Sequence, residues 1–348
     1  MSSKKKSYNN IGVIGAGKFG TAVANLLAHN ATTVWLYTHK KEKAILIKEN
    51  RIAANQHLSH NIHITNDLSA LATNCAIIFP IIPALHFRAM MRLIAPYLTK
   101  AHLLIHGTKG FDVAWPLNNT KLSRANVRTM SEVIQEESNV QEVGCLGGPN
   151  LVSELAQGQP AATVVASTSD NIILHGKNLL KNRYFQVYHS KDLLGVELCG
   201  SLKNIFAVGA GIISGMGYGD NTKALLISRS IVEMVYIGQA LGATKQPFIG
   251  LAGVGDLIAT CANSTSRNYT IGYRIAKGES LAEIMHTTQE VAEGIHTVRT
   301  IYHLVSSLHL RAPITEIIYR ILFEHLALPK AIQYLMQYPL DADVDFLK

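Results

Sequence analysis

Three observations predict the fold class of this 348-residue chain, an α/β domain over residues 1–192 followed by an all-α domain over 193–348. Apolar strand-like runs alternate with helical patterns as far as Asp192. The first of those runs feeds a glycine-rich turn, and beyond Asp192 the strand signal stops. The length suits two domains.

Residues 11–14 read as a short buried strand that runs into GAGKFG at 15–20, with a helix over 21–29 and a second strand over 33–37. In that setting GxGxxG reads as the dinucleotide-binding turn of a Rossmann-type domain. Gly15 makes the turn, Gly17 lets the backbone approach a pyrophosphate, and Gly20 lets helix pack on strand, with the anion at the helix N-terminus. The second strand ends in Tyr37, Thr38, His39, Lys40 and Lys41, where an NAD-preferring site would place an acid for the ribose 2′-hydroxyl. With no carboxylate there to repel a 2′-phosphate, NADP(H) is favoured and NAD(H) stays open. The plainer reading is that Lys40 and Lys41 open a surface helix. Lys18, inside the turn, adds a further candidate contact.

The alternation continues with strands over 62–64, 75–82, 102–105, 141–146, 161–166 and 185–188. Helices are expected from Asp67 or Ser69, over 84–98, and from near Val152. Ligands of open parallel sheets sit beyond the carboxyl ends of strands. That places Lys109, in HGTKG at 106–110, near an anionic or carbonyl group, unless it is an ordinary loop lysine. The turn Gly147, Gly148, Pro149, Asn150 at a helix start can present backbone N–H groups to a ligand.

The second domain is organised around residues 195–234, whose first half is apolar on nearly every side and carries Lys203 and Asn204 in its middle. A buried ammonium is costly unless paired or lowered in pKa, and a lowered lysine suits proton transfer to a carbonyl oxygen. The alternative is a lysine that snorkels or pairs with Glu197. Asp256 follows the glycine-rich GLAGVG and reads as a helix N-cap or as the orienting partner of Lys203. Residues 263–268, NSTSRN, join hydroxyls, amides and Arg267 at a helix start, which suits a phosphate or a merely capped loop. Glu293 lies beside a glycine in QEVAEGIHT at 289–297.

The net charge of +8 belongs partly to Lys4, Lys5 and Lys6, and an anionic small molecule accounts for the rest; no basic stripe interleaved with aromatics suggests nucleic acid. Cysteines 75, 145, 199 and 261 are far apart in apolar runs and read as core thiols. No signal peptide and no uncharged run of membrane-spanning length is seen, so a soluble cytoplasmic protein is expected. His57, His60 and His63 fall across a loop into a strand without an acid or thiol, so no metal is expected. Asp341, Asp343 and Asp345 read as solvated.

Taken together, GAGKFGTAVA, TKG, GGPNLVSELAQGQPAATVVAS, GSLKNIFAVGAGIISGMGYGDNTKALLISR, GLAGVGDLIATC, STSRN and VAEGIHT resemble the bacterial NAD(P)-dependent glycerol-3-phosphate dehydrogenases in order and spacing. The resemblance implies reversible reduction of dihydroxyacetone phosphate to sn-glycerol 3-phosphate, which supplies the phospholipid backbone, by a homodimer. Carried over by position, it implies Lys203 as general acid/base with Asn204 and Asp256 beside it. Lys109, Gly148, Asn150, Lys203, Asp256, Ser266, Arg267 and Asn268 match substrate-contacting positions. Gly15, Gly17, Lys18, Phe19, Gly20, His39, Lys109, Val152, Arg267, Val291 and Glu293 match the cofactor site. Two stretches depart from the family pattern: Lys18 and Phe19 in the turn, and Gly147–Asn150 where Ser-Gly-Pro-Ser/Thr is usual. Rival readings are a dehydrogenase of the same architecture acting on a β-hydroxy acid or ketopantoate-like substrate, and a non-catalytic dinucleotide sensor.

Overall fold

The computed structural model describes residues 8–115, 121–288, 293–339 and 343–344. Lys4, Lys5, Lys6, Val291, Asp341 and Asp345 lie outside the described residues. The described chain divides into two compact units, one of residues up to Thr108 with Met130–Leu193, the other of Lys109–Thr129 with residues from Leu194 on.

In the first unit the apolar runs become eight strands: β1 (Tyr8–Ile14), β2 (Ala31–Tyr37), β3 (Ile62–Thr65), β4 (Ile77–Pro80), β5 (Leu103–His106), β6 (Glu142–Gly147), β7 (Ala161–Ala166) and β8 (Phe185–Ser190). Their order in one sheet is β3-β2-β1-β4-β5-β6-β7-β8, with β7 antiparallel to β6 and the other pairs parallel. Every residue of β4 and β5 is buried, as a parallel sheet covered on both faces requires. The period of two sends Val13, Phe79 and Ile105 into one core and Ile14, Ile78 and Leu104 into the other. Chain order reverses between β1 and β4, which is the switch point where such sheets bind ligands.

The helices of this unit are α1 (Lys18–Leu27), α2 (Lys41–Asn50), α3 (Leu68–Asn74), α4 (Ala84–Ile94), α5 (Met130–Glu137), α6 (Val152–Ala156) and α7 (Asp170–Leu180). Asp67 caps α3, accepting from the Ala70 N–H at 3.0 Å. The helix expected over 84–98 stops at Ile94, and Ala95–Tyr97 tightens into a 3-10 turn. Pro96 explains the stop, since it brings no N–H to continue the helical hydrogen bonding.

The second unit holds α8 (Leu193–Gly215), α9 (Asp220–Ala240), α10 (Gln246–Ile249), α11 (Asp256–Ala262), α12 (Arg267–Ala276), α13 (Leu281–Thr287), α14 (Glu293–Ser307), α15 (Pro313–Phe323) and α16 (Leu328–Met336). It also takes in residues 109–129, with a short antiparallel pair of Asp112–Val113 and Val127–Arg128, which the unbroken alternation had assigned to the first domain. Two contacts tie that segment to α8. The Gly110 N–H donates to Ser201 Oγ at 2.9 Å, and the stem of Lys109 lies over Gly200.

By length and composition α8 could cross a membrane, yet its most apolar window is wholly buried inside the protein. It packs closely on α12 because both carry glycine at the crossing. A Cβ on Gly211 would come within 2.0 Å of the Tyr269 carbonyl, and one on Gly272 within 1.9 Å of the Val208 carbonyl. The four cysteines are buried thiols outside any disulfide.

Candidate active site

The first unit carries a site built from backbone. Gly15 has φ +119°, and a Cβ there would lie 2.2 Å from the Ile81 carbonyl. A Cβ on Gly20 would meet the Gly15 carbonyl at 1.8 Å, so α1 starts directly against the end of β1. Gly17 differs: it caps α1 at an ordinary φ of −88°, and nothing lies within 4 Å of the Cβ it lacks. The turn is therefore closed behind Gly15 and Gly20 and open in front of Gly17. There the first N–H groups of α1, with no side-chain cap, are available to an anion. These features fit a dinucleotide pyrophosphate. α1 begins at Lys18, earlier than residue 21 as expected.

Phe19 packs over Gly107 at the end of β5, and the Lys18 carbonyl accepts from Gln56 Nε2 at 2.7 Å. His39, Lys40 and Lys41 are exposed past the end of β2, with Lys41 opening α2. Lys43, which the sequence did not single out, reaches back to donate to the Ala16 carbonyl at 3.0 Å. No pattern near Lys43 signals this, because the contact spans 27 residues.

Gly148 has φ +100°, which explains the glycine there. Asn150 turns its amide nitrogen onto Thr163 Oγ1 at 3.1 Å and the Gly148 carbonyl at 3.3 Å, while its buried Oδ1 has no partner. Val152 opens the short α6, with Glu154 in the first turn. His102 is a satisfied core histidine on Thr99 and Ala72, and His63 lies against Trp35.

The second unit carries a site built from side chains. Lys203, 7 % exposed in the middle of α8, donates to Asp256 Oδ1 at 2.5 Å and to Thr260 Oγ1 at 2.6 Å. Lys109 takes the other oxygen, Asp256 Oδ2, at 2.6 Å. Of the two readings of Asp256, the structure takes the ionic one: Gly255 holds the cap position and the carboxylate bridges two lysines. Lys203 neither snorkels nor uses Glu197 as its ion-pair partner. Burial lowers Lys203 from 10.5 to about 8, with the Asp256 carboxylate opposing that fall and the Lys109 ammonium assisting it. Thr260 was missed, although it stands one turn beyond Asp256 on α11, the spacing at which helix side chains meet. Asn204 is buried next to Lys203 with no hydrogen-bond partner among the described residues.

A π-helical turn, Leu251–Gly255, delivers Asp256, the kind of irregular turn found at functional sites. Gly253 is required there, since a Cβ would lie 2.0 Å from the Phe248 carbonyl. Ser266 caps α12 without spending its hydroxyl on the cap, and Arg267 is exposed in the first turn. Asn268 is buried, and its Oδ1 accepts from the Gly294 N–H at 3.2 Å, joining the starts of α12 and α14. Glu293 is the first residue of α14.

A parallel sheet in this strand order with an anion-ready glycine turn, together with a helical unit holding a buried lysine on a carboxylate, defines a nicotinamide-dependent dehydrogenase. The comparisons narrow the class. Residues 10–173 match the model of the NAD-dependent glycerol-3-phosphate dehydrogenase N-terminus and residues 192–333 that of its C-terminus, so the chain belongs to this family. It is 37 % identical to glycerol-3-phosphate dehydrogenase (NAD(P)+) of Syntrophotalea carbinolica, over 97 % of this chain and 100 % of that one. It is 34 % identical to the enzyme of the same name from Teredinibacter turnerae, over 96 % of each chain. Among solved structures, glycerol-3-phosphate dehydrogenase from Coxiella burnetii matches with a TM-score of 0.84 and 29 % identity, over 95 % of this chain and 99 % of that one.

Proposed function

We propose that Lys203 is the general acid/base of a glycerol-3-phosphate dehydrogenase that interconverts dihydroxyacetone phosphate and sn-glycerol 3-phosphate with NADP(H) in preference to NAD(H). The observation that carries this is the buried Lys203–Asp256 ion pair at 2.5 Å with Lys109 on the second carboxylate oxygen. Family membership supports the reaction, and the acid-free end of β2 with His39, Lys40 and Lys41 supports the cofactor preference.

The bound nicotinamide supplies or accepts the hydride. Lys203 holds a proton at Nζ near its own pKa and gives it to the developing alkoxide, which is the condition for efficient transfer close to neutral pH. Asp256 and Thr260 fix the ammonium, and Lys109 adds positive potential where negative charge develops. The Asn204 amide, buried and unspent, orients the substrate's hydroxyl and carbonyl oxygens. Ser266, Arg267 and the Asn268 amide nitrogen at the start of α12 hold the phosphate. Asn150 contributes on the substrate side through its unpartnered Oδ1 rather than its nitrogen. Gly15, Gly17, Lys18, Phe19, Gly20, His39, Val152 and Glu293 serve the cofactor. The enzyme acts as a cytoplasmic homodimer that feeds phospholipid synthesis.

The test is loss of the reduced-nicotinamide absorbance with dihydroxyacetone phosphate, NADPH and NADH being run in parallel. Turnover with both, faster with NADPH, is expected. Silence in protein that binds NADPH would overturn the reading and turn attention to β-hydroxy acids.

A further inference from the structure

Away from Lys203, the helical unit encloses a cavity of about 560 Å³ between α9, α15 and α16, within the size range of small-molecule sites. Its inner wall is aliphatic, made by Leu226, Val232, Ile314, Ile332 and Leu335. Beneath it lies a recess of about 40 Å³, lined only by apolar side chains and Gly209 and sharing Leu226, Ile314, Ile332 and Leu335 with the cavity. Two guanidiniums, Arg229 and Arg311, stand among the lining residues. Arg229 is held by the Asp343 carboxylate, so a carboxylate from the chain's own C-terminal stretch already occupies one of them. Arg311 donates to the Tyr338 hydroxyl at 3.2 Å and to the Pro339 carbonyl, lies over the Tyr338 ring, and has no acidic partner among the described residues.

The acid on the inner side, Glu233, does not compete for these cations. Both its oxygens accept from the start of α15, from the Ile314 N–H at 2.8 Å and the Thr315 N–H at 2.9 Å, and burial pushes it up to about 7. An apolar wall that deepens into an apolar recess suits a hydrocarbon chain, because each buried methylene adds to affinity. A flat partner surface would leave the recess unfilled. An uncompensated guanidinium beside one that already holds a carboxylate suits an anionic head. The geometry points to a second ligand site here, one that takes a single-chain amphipathic anion with its chain over Leu226 and Ile332 and its head on Arg311 and Arg229.

Calorimetric titration with laurate, dodecyl phosphate and uncharged dodecanol tests this, independently of turnover. One equivalent of either anion binds saturably, and dodecanol binds at least about tenfold more weakly, as expected when charge-assisted bonds to the head are lost. Arg311→Gln lowers affinity for both anions about tenfold and leaves dodecanol unchanged. Ile332→Trp, which fills the cavity, removes binding of all three; thermal unfolding confirms that each variant is folded. A preference for laurate or for dodecyl phosphate tells a carboxylate head from a phosphate one. No saturable binding, or equal binding by both variants, overturns the site. So does a change of oligomeric state on adding laurate or filling the cavity, which would make the cavity part of an interface between copies.

Discussion

The two candidate sites of this enzyme, one in each unit, are built from different materials. The one around Gly15, Gly17 and Gly20 is made of backbone: φ values, closed and open space, and the N–H groups of α1. The one around Lys203 is made of side chains drawn from positions 109, 203, 256 and 260, with Lys203, Asp256 and Thr260 buried. A backbone site tolerates exposure, and its exposed neighbours His39, Lys40 and Lys41 are adjustable. The side-chain site depends on burial, because burial is the main cause that lowers the lysine to about 8.

The largest effect that would break this comparison is on turnover. Lys203→Ala should lower the rate by about a thousandfold, the scale of a lost general acid, with NADPH affinity nearly unchanged. Near-normal turnover would remove Lys203 from proton transfer. Next comes a paired test of the glycine turn. Gly15→Ala meets the Ile81 carbonyl at a left-handed φ, so it should lose at least about 1–3 kcal/mol of stability. Gly17→Ala should leave stability within about 0.5 kcal/mol while weakening NADPH, since its methyl projects into the open side. Equal melting temperatures for the two variants would mean that the glycines do not have separate tasks.

The pH profile is subtler. With Lys203 as the proposed general acid, reduction needs it protonated, so the rate should fall as pH rises through about 8, and the oxidation of glycerol 3-phosphate should rise over the same window. A flat reduction profile between pH 7 and 9 in saturating substrate would argue against the lowered lysine. The smallest effect is on cofactor choice. His39→Asp should cut the NADPH-to-NADH preference about tenfold, equivalent to about 1.4 kcal/mol. An unchanged ratio would move the determinant to Lys43, whose ammonium already lies on the Ala16 carbonyl.

How much of this was legible depended on sequence distance. The glycine turn, the succession of strands along the chain as far as β6 and the end of β2 follow from local pattern, because turn geometry and period-two burial are properties of adjacent residues. The same local rule misled at residues 109–129. The alternation runs through them, but the Lys109–Asp256 pair and the Gly110–Ser201 bond attach them to the helical unit. Asn268 shows a similar limit: its residue type suits a phosphate, yet its oxygen is committed to Gly294.

The sequence by itself determined that a glycine turn opens the first helix, that Lys203 stands in the middle of an apolar helix, and that no acid guards the end of β2, since each is written in consecutive residues. Only the tertiary structure decided what neutralises that lysine. Asp256 became its partner rather than a helix cap, with Thr260 and Lys109 completing the cluster, because a π-helical turn aims the carboxylate at α8. The physical reason is range: backbone conformation is set by neighbours in the chain, whereas the charge state of a buried amine is set by neighbours in space.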